Sequence, residues 1–405
     1  MSRVCRAALA AWLGCATFAE AQTVLTYEEV VARARERAGI VAIARARVAE
    51  SEAALRDPSA RFRDNPIVIA DVGPRSGHDG RTTDIDLTVS QLFETGGQRK
   101  ARMTGAMAGV DRQQADVAQA ARAAVFEALS TFLDGLAASE RVTVATDADS
   151  VSQGLRSAAE RRYAAGDIAA LDLNLARIDA ARSSAALSAA RADLDAAEGR
   201  LRSVLRLPAG ERLELRGTLD LPPAPPLVQL ESTIEQRPEF AALTAEAREA
   251  DAQAQLGRAL SKPDLGLSAG YSREAFDTIV LGGLTVTLPL FQRGQGTLAT
   301  GLARGTRVRL EAEIARERAL TELRTAYRAY TQRADLVAAL TRDTLPAVVD
   351  NESLAQRSYD AGEINLMNML LIRRDALDTR TTVIERRLDA ARSRLAVDFA
   401  AGVLR

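Results

Sequence analysis

Thiols are nearly absent from this chain of 405 residues: its two cysteines, Cys5 and Cys15, both sit near the N-terminus. Beyond residue 15 there is no side chain for a disulfide, a thiolate metal site or a cysteine nucleophile. Histidine is as scarce. His78 is the single one, and it falls beside Asp79 in an expected surface loop; one histidine makes no metal site. Aromatics are only 4% of the chain, low for a protein built around compact cores. A formal net charge of −1 leaves no basic field for nucleic acid. Charges interrupt every apolar run after the N-terminus, so no later segment reads as a transmembrane helix. No glycine-rich phosphate loop or histidine cluster is present either, which makes an enzyme the least supported class. No cofactor is expected.

What is abundant is Ala, Arg, Leu, Glu and Asp, the composition of long helices. Residues 1–21 have a separate character. Arg3 and Arg6 precede an apolar core, and Ala19-Glu20-Ala21 forms a cleavage site before Gln22, the pattern of a secretory signal peptide. The apolar stretch is shorter than the ~20 residues a membrane span needs. Cys15 offers a lipidation alternative, although Trp12-Leu13-Gly14 before it is a poor lipobox. Cleavage after Ala21 would leave an exported chain without thiols.

The remaining sequence repeats itself. Tyr163-Ala-Ala-Gly-Asp-Ile168 returns as Tyr359-Asp-Ala-Gly-Glu-Ile364. Phe93-Glu-Thr-Gly96 is echoed by Phe291-Gln-Arg-Gly294, and Pro66 by Pro263. Three markers in one order, spaced 196–198 residues apart, imply two copies of one unit. The first copy is expected over 22–220 and the second over 231–405, with the Pro-rich 221–230 (Leu221-Pro-Pro-Ala-Pro-Pro226 at its start) as an extended connector.

Each copy is expected to hold two strands, near 66–73 and 83–91 in the first and near 263–272 and 281–290 in the second. Ile85, Leu87 and Val89 alternate with Asp84, Asp86, Thr88 and Ser90, a period of two with one apolar and one polar face. Leu265, Leu267, Ala269 and Tyr271 repeat the design, as do Leu284, Val286 and Leu288 around Thr285 and Thr287. The Gly-Pro-Arg-Ser-Gly-His-Asp-Gly stretch of 73–80 reads as a loop. Helices are expected over 26–60, starting at Thr26 with Glu28 and Glu29 behind it, and over 231–260. Long helical hairpins are expected at 97–205 (helices 98–161 and 168–205) and 295–402 (helices 296–357 and 364–402). Their apolar residues are mostly Ala, with Leu and Val at heptad-like intervals, so neighbours can approach closely and no globular core is implied.

Four amphipathic strands cannot close a sheet alone, and open edges are not tolerated in lipid. Several chains giving four strands each would close a barrel. Asp84, Asp86, Thr285 and Thr287 would then line water and the apolar faces would meet lipid. With these motifs in register, the mature chain resembles the TolC-like outer-membrane efflux protein family. The resemblance implies an α+β membrane protein with two repeats, each with two strands and a long helical hairpin. It implies a homotrimer with a 12-stranded barrel in the outer membrane and a helical barrel in the periplasm. Partners implied are a periplasmic adaptor protein, an inner-membrane resistance-nodulation-division (RND) pump and outer-membrane lipid. Phe93-Glu-Thr-Gly-Gly-Gln-Arg99 and Pro289-Leu-Phe-Gln-Arg-Gly-Gln-Gly296, with Asn65-Pro66, resemble the cobalt–zinc–cadmium heavy-metal branch. That branch implies divalent-cation cargo. The same duct could instead serve drugs, organic solutes or secreted polypeptide, and a periplasmic coiled-coil scaffold is the alternative of another class.

Residue roles follow the same resemblance. Gly166 and Gly362 suit the left-handed cap of a hairpin turn, and the family places these turns at the periplasmic tip that partners contact. Asp172 and Asn368 lie six residues on, where the family carries acidic rings; only Asp172 keeps the acid. Arg162, Arg357, Tyr163 and Tyr359 are tip or gate candidates, some bonding between helices. Phe93, Gly96, Gly97, Phe291 and Gly294 mark strand-to-helix transitions. Met367 and Met369 could be soft metal ligands but more often such residues pack, and a conduit needs only weak binding.

Overall fold

The computed structural model describes residues 22–77, 80–208, 212–275 and 277–404. The expected signal peptide, Cys5, Cys15, His78 and Asp79 lie outside them. The chain begins with β1 (Gln22–Leu25), α1 (Tyr27–Arg37), α2 (Gly39–Ala54) and the short α3 (Arg56–Ser59). Thr26 caps α1 in a capping box with Glu29, as the sequence suggests. One helix over 26–60 does not form. Ala38 turns to an extended backbone (ψ 136°), and Arg45 donates to the carbonyls of Arg35 and Glu36 that α1 leaves open.

Then come β2 (Ile67–Gly77), β3 (Gly80–Phe93), α4 (Gln98–Ala164) and α5 (Ala170–Leu205). Residues 73–77 and Gly80 of the expected loop are instead strand: β2 and β3 pair antiparallel as far as Gly77 opposite Gly80. The 67 residues of α4 span about 100 Å at 1.5 Å per residue. The short β4 (Arg212–Leu215) follows and pairs parallel with β1. Sequence reading misses both strands, because four residues show no usable alternation. The connector is extended only in part, since α6 (Leu227–Glu231) already occupies its end. A 3₁₀ turn at Ile234–Gln236 separates α6 from α7 (Pro238–Ala259), so 231–260 is not one helix either.

The second copy continues with β5 (Asp264–Glu274), β6 (Asp277–Thr287), α8 (Gln295–Ala339), α9 (Leu345–Asp360) and α10 (Leu366–Ala401). A π-helical turn at Leu340–Thr344 interrupts the expected continuous helix over 296–357. Pro346 explains it: without an N–H it cannot complete the regular ladder, and a widened turn absorbs the loss.

Packing is layered along the long axis. α7 lies between α4 and α8, with Ala250, Ala252, Ala254, Gly257 and Ala259 buried. α10 packs on α4, α8 and α9. A core is nevertheless present, contrary to expectation. Leu25, Val30, Val125, Phe132, Leu133, Leu201, Leu205 and Leu395 gather where the β1–β4 ribbon crosses the helices, and Tyr27 meets Phe132 edge-on at 5.4 Å. Arg122 is 4% exposed, with its guanidinium 4.5 Å over the Phe399 ring and 3.7 Å from Glu239. Burial pushes its pKa down from the usual arginine value. Among the described residues no helix is long and apolar enough to cross a membrane.

Candidate conduit: the sheet, its helical transition and the hairpin tips

The four longer strands form one antiparallel sheet in the order β2-β3-β5-β6, with β2 and β6 at open edges. Its register settles which residues share a face, because side chains alternate strictly. Asp84 stands opposite Gly73, Asp86 opposite Asp71 and Ser272, Thr285 opposite Gly266, and Thr287 opposite Asp264. Following these rows across the sheet puts Asp84, Asp86, Thr285 and Thr287 on one face. Ile85, Leu87, Val89, Tyr271, Leu284 and Val286 occupy the other and are exposed. The polar face is less uniform than β3 alone suggests. Ile67, Ile69, Ile279 and Leu281 share it near the edges, while Arg75 bonds Asp84 (2.7 Å) and Glu274 (2.6 Å) upon it. Asp71, directly across from Asp86, belongs to this face too and escaped the sequence reading, where it sits in an otherwise apolar run.

Below the sheet, strand turns into helix at two left-handed glycines, Gly97 (φ 89°) and Gly294 (φ 71°). Gly77 corresponds to Glu274, Gly80 to Asp277 and Gly97 to Gly294, an offset of 197 in each case (274 less 77, 277 less 80, 294 less 97). The Phe-x-x-Gly echo at 93–96 and 291–294 is therefore out of structural register by one residue. Phe93 corresponds to Leu290, not to Phe291. The environments agree: Phe93 meets Phe62 edge-on at 5.5 Å, whereas Phe291 is 88% exposed. Gly96 is confined for a separate reason, as a Cβ there would stand 2.5 Å from the Ala259 carbonyl oxygen.

At the far end both hairpins turn in the same way. Gly166 (φ 82°) and Gly362 (φ 76°) adopt the left-handed conformation. The Asp167 N–H donates to the Arg162 carbonyl at 2.8 Å and the Glu363 N–H to that of Ser358 at 2.8 Å, closing each helix with a Schellman-type cap. Ala159, Leu173, Ala176 and Leu366 pack the two tips together beside Tyr359. Arg162 donates to the Tyr359 hydroxyl at 3.5 Å, the long limit of a hydrogen bond. Arg357 does not join that bridge; it donates to the Ser353 carbonyl of its own helix. Tyr163 is exposed. Asp172 is half-buried in the first turn of α5. Asn368 is exposed, its N–H capped by Asn365 at 2.9 Å. Met369 is buried and Met367 exposed, so the two side chains stand in different surroundings. Among the described residues no three metal-ligating side chains cluster.

One seam has no counterpart in the sequence reading. Between α4 and α5, Ser152 bonds Asp179 (2.7 Å) and Ser183 (2.9 Å), while Asp149 accepts from Ser184 (2.6 Å) and Gln153 (3.2 Å). The Ser184 bond, with that of Gln153, holds the Asp149 carboxyl below its usual range.

A two-sided antiparallel sheet continued by paired helical hairpins is the fold of the TolC-like channels. The chain superposes on the crystal structures of CusC with a TM-score of 0.75 at 16% identity, over 93% of this chain and 92% of that one. It superposes equally well (0.75, 14% identity, 93% and 85%) on the CmeC outer membrane channel of Campylobacter jejuni. The open-state MtrE outer membrane channel of Neisseria gonorrhoeae gives 0.70 at 16% identity, over 93% and 88%. In sequence, 301 residues are 29% identical to the cobalt-zinc-cadmium resistance protein CzcC of Cupriavidus metallidurans, 73% of this chain and 70% of that one. The model of outer membrane efflux proteins matches residues 30–205 and 230–403, and the chain belongs to that family. It is thus an efflux-channel component of the outer membrane, not an enzyme.

Proposed function

We propose that the chain is the passive exit duct of a tripartite efflux system. Three copies close a barrel of twelve strands, since one copy supplies four with both edges open. The helical hairpins continue the bore into the periplasm, toward an adaptor protein and an inner-membrane RND pump that supplies the energy. A cleavable leader at 1–21 carries the chain out of the cytoplasm. The observation that carries the duct is the sheet itself, polar on one face, apolar on the other and unpaired at both edges. Divalent heavy-metal cations are the cargo; what supports this is the similarity to the CzcC resistance protein.

The paired tips hold the adaptor-facing end. The Arg162–Tyr359 contact is long and weak, suited to a joint that must part when a partner docks. Asp172 gives one carboxylate per chain near this end, a ring of three in the trimer, and Asn368 supplies no second ring. The test is growth of a deletion strain on graded zinc, cobalt, cadmium and copper and on a drug panel. Selective metal sensitivity, rescued by the intact gene and not by one lacking residues 160–170, is expected. Sensitivity to drugs alone would overturn the cargo and leave the duct.

A further inference from the structure

Charge is divided between the two ends of the sheet. β2 begins, β3 ends, β5 begins and β6 ends at the end that joins the helices. Residues 56–64, 94–102, 258–264 and 288–296 border those four strand ends. They hold nine basic and four acidic side chains, a net of +5 in a chain whose total is −1. At the hairpin end, residues 74–84 and 271–278 hold three basic and four acidic ones. Each strand end on the helical side has its own exposed cation: Arg61 ahead of β2, Lys100 after β3, Lys262 ahead of β5 and Arg293 after β6. Lys100 and Lys262 are the only lysines among the 53 basic residues. Neighbouring carboxylates are engaged elsewhere: Glu94 by Arg102 (2.5 Å), and Asp264 by the Thr95 N–H (3.3 Å) and Gln98 (2.9 Å). Among the described residues no carboxylate forms an ion pair with any of the four cations.

The surroundings of these cations say which anion they suit. Phe93 stands opposite Leu265 on the apolar face of the sheet, and Phe62 meets Phe93 edge-on. Arg61, 5.6 Å from the Phe62 ring centroid, therefore lies on the apolar side. Phe62 and Phe291 are 45% and 88% exposed, and Leu288 and Leu290 are 60% and 59% exposed. Apolar surface thus borders the unpaired charges, the arrangement that places a stem against acyl chain and its charged head at the interface. A soluble anion would leave that apolar surface uncovered. We propose that this collar binds the phosphodiester groups of anionic glycerophospholipids, of the phosphatidylglycerol type, in the leaflet on the helical side of the sheet. The proposal rests on the membrane-crossing reading above and adds which lipid the protein prefers. Phosphatidylcholine carries its own ammonium beside its phosphate, so an unpaired collar cation gains little from it. Phosphatidylglycerol has no internal counter-charge, and a lysine or arginine beside an anionic surface is worth about fivefold in affinity. The flexible stems of Lys100 and Lys262 carry a strongly hydrated point charge that follows a mobile headgroup.

Native mass spectrometry of the full-length protein in neutral detergent tests the collar. Phosphatidylglycerol and phosphatidylcholine with identical acyl chains are added in equal amounts, and retained lipids are counted. Wild type should retain phosphatidylglycerol about tenfold over phosphatidylcholine at low salt. The preference should fall to about twofold in a variant carrying Arg61→Gln, Lys100→Gln, Lys262→Gln and Arg293→Gln. Lys100→Arg with Lys262→Arg keeps the charges and should keep the preference. Equal retention of the two lipids by wild type overturns the collar, as does an undiminished preference in the fourfold variant at unchanged oligomeric mass. If that variant does not assemble, wild type in 1 M ammonium acetate decides instead. There the screening length is about 3 Å, and a preference that survives undiminished is not one of charge. Flotation with phosphatidylcholine and phosphatidylglycerol vesicles tests the underlying reading separately. Protein that floats with both while retaining the two lipids equally loses only the collar; protein that floats with neither overturns the membrane-crossing sheet as well.

Discussion

Replacing glycine by alanine should have opposite signs at different helical glycines, decided by what a Cβ would meet. At Gly257 in α7, a Cβ would stand 2.3 Å from the Leu298 backbone nitrogen and 2.6 Å from its Cα. At Gly301 in α8 it would stand 2.5 Å from the Ala254 nitrogen and 2.9 Å from the Ala250 carbonyl oxygen. Carbon contacts relax near 3.5–4.0 Å, and these obstacles are backbone, so no rotamer change relieves them. α7 and α8 must separate by about 1 Å along a seam of small residues, which costs about 2–3 kcal/mol as overpacking. The alanine also gains about 1 kcal/mol of helix propensity. Sterics win, and each variant should lose about 1–2 kcal/mol net. Gly154 in α4 and Gly199 in α5 meet nothing within 4 Å. There only the propensity gain remains, and alanine should stabilise by about 0.5–1 kcal/mol. Unfolding entropy for a chain this long makes 1 kcal/mol about 1 °C in Tm. Thermal melts of the detergent-purified protein, followed by far-UV circular dichroism, should order Gly257→Ala and Gly301→Ala below wild type and Gly154→Ala and Gly199→Ala above it. A Tm for Gly257→Ala at or above that of Gly154→Ala would refute the close-packed seam.

Other expectations concern charge and the tips. Glu246 accepts from Arg304 (3.2 Å) and Arg307 (2.5 Å). Burial, its largest single influence, pushes the carboxyl up, yet the bonds and charges of the two arginines outweigh it and hold the net pKa below the usual value. A depressed pKa contributes stability above the ordinary carboxylate range that is lost as pH falls through the folded value. Glu246→Gln should therefore destabilise by about 1–2 kcal/mol at neutral pH, with denaturant midpoints of variant and wild type converging below about pH 4; a constant gap would contradict the assignment. Gly166→Ala and Gly362→Ala should each cost about 1–2 kcal/mol locally, because both sites are left-handed. Hydrogen exchange should quicken at the tip amides and not at the core around Phe132. Asp172→Asn should move the cation-over-anion permeability ratio toward one in bilayer recordings, while Asn368→Ala leaves it unchanged.

The sequence exposed the features whose chemistry is local. A hairpin turn that needs a left-handed residue shows its glycine, so Gly166 and Gly362 were readable with their Tyr-x-Ala-Gly context. β3 showed its two faces because Asp84, Asp86 and Thr88 interrupt Ile85, Leu87 and Val89. β2 hid its polar position because Asp71 sits among Ile67, Val68, Ile69 and Val72, and only the pairing with Asp86 reveals the face. The break at Ala38 carries no proline and depends on Arg45 reaching back across a turn. Phe93 and Phe291 look equivalent as letters, yet the strand registers make Leu290 the counterpart of Phe93 in the second copy. Pairing geometry ranks above motif identity wherever an extra residue can be absorbed between strand and helix. The ribbon of β1 and β4 joins Gln22 to Arg212, a partnership that no window on the sequence contains.

Planar-bilayer recording of the purified full-length protein tests the duct most directly, alongside a variant carrying Arg162→Ala and Tyr359→Phe to release the tip bridge. Discrete conductance steps from both proteins, larger in the variant, are the predicted result. Silent bilayers from both, with oligomeric protein recovered from the same membranes, would contradict a water-filled passage through this chain.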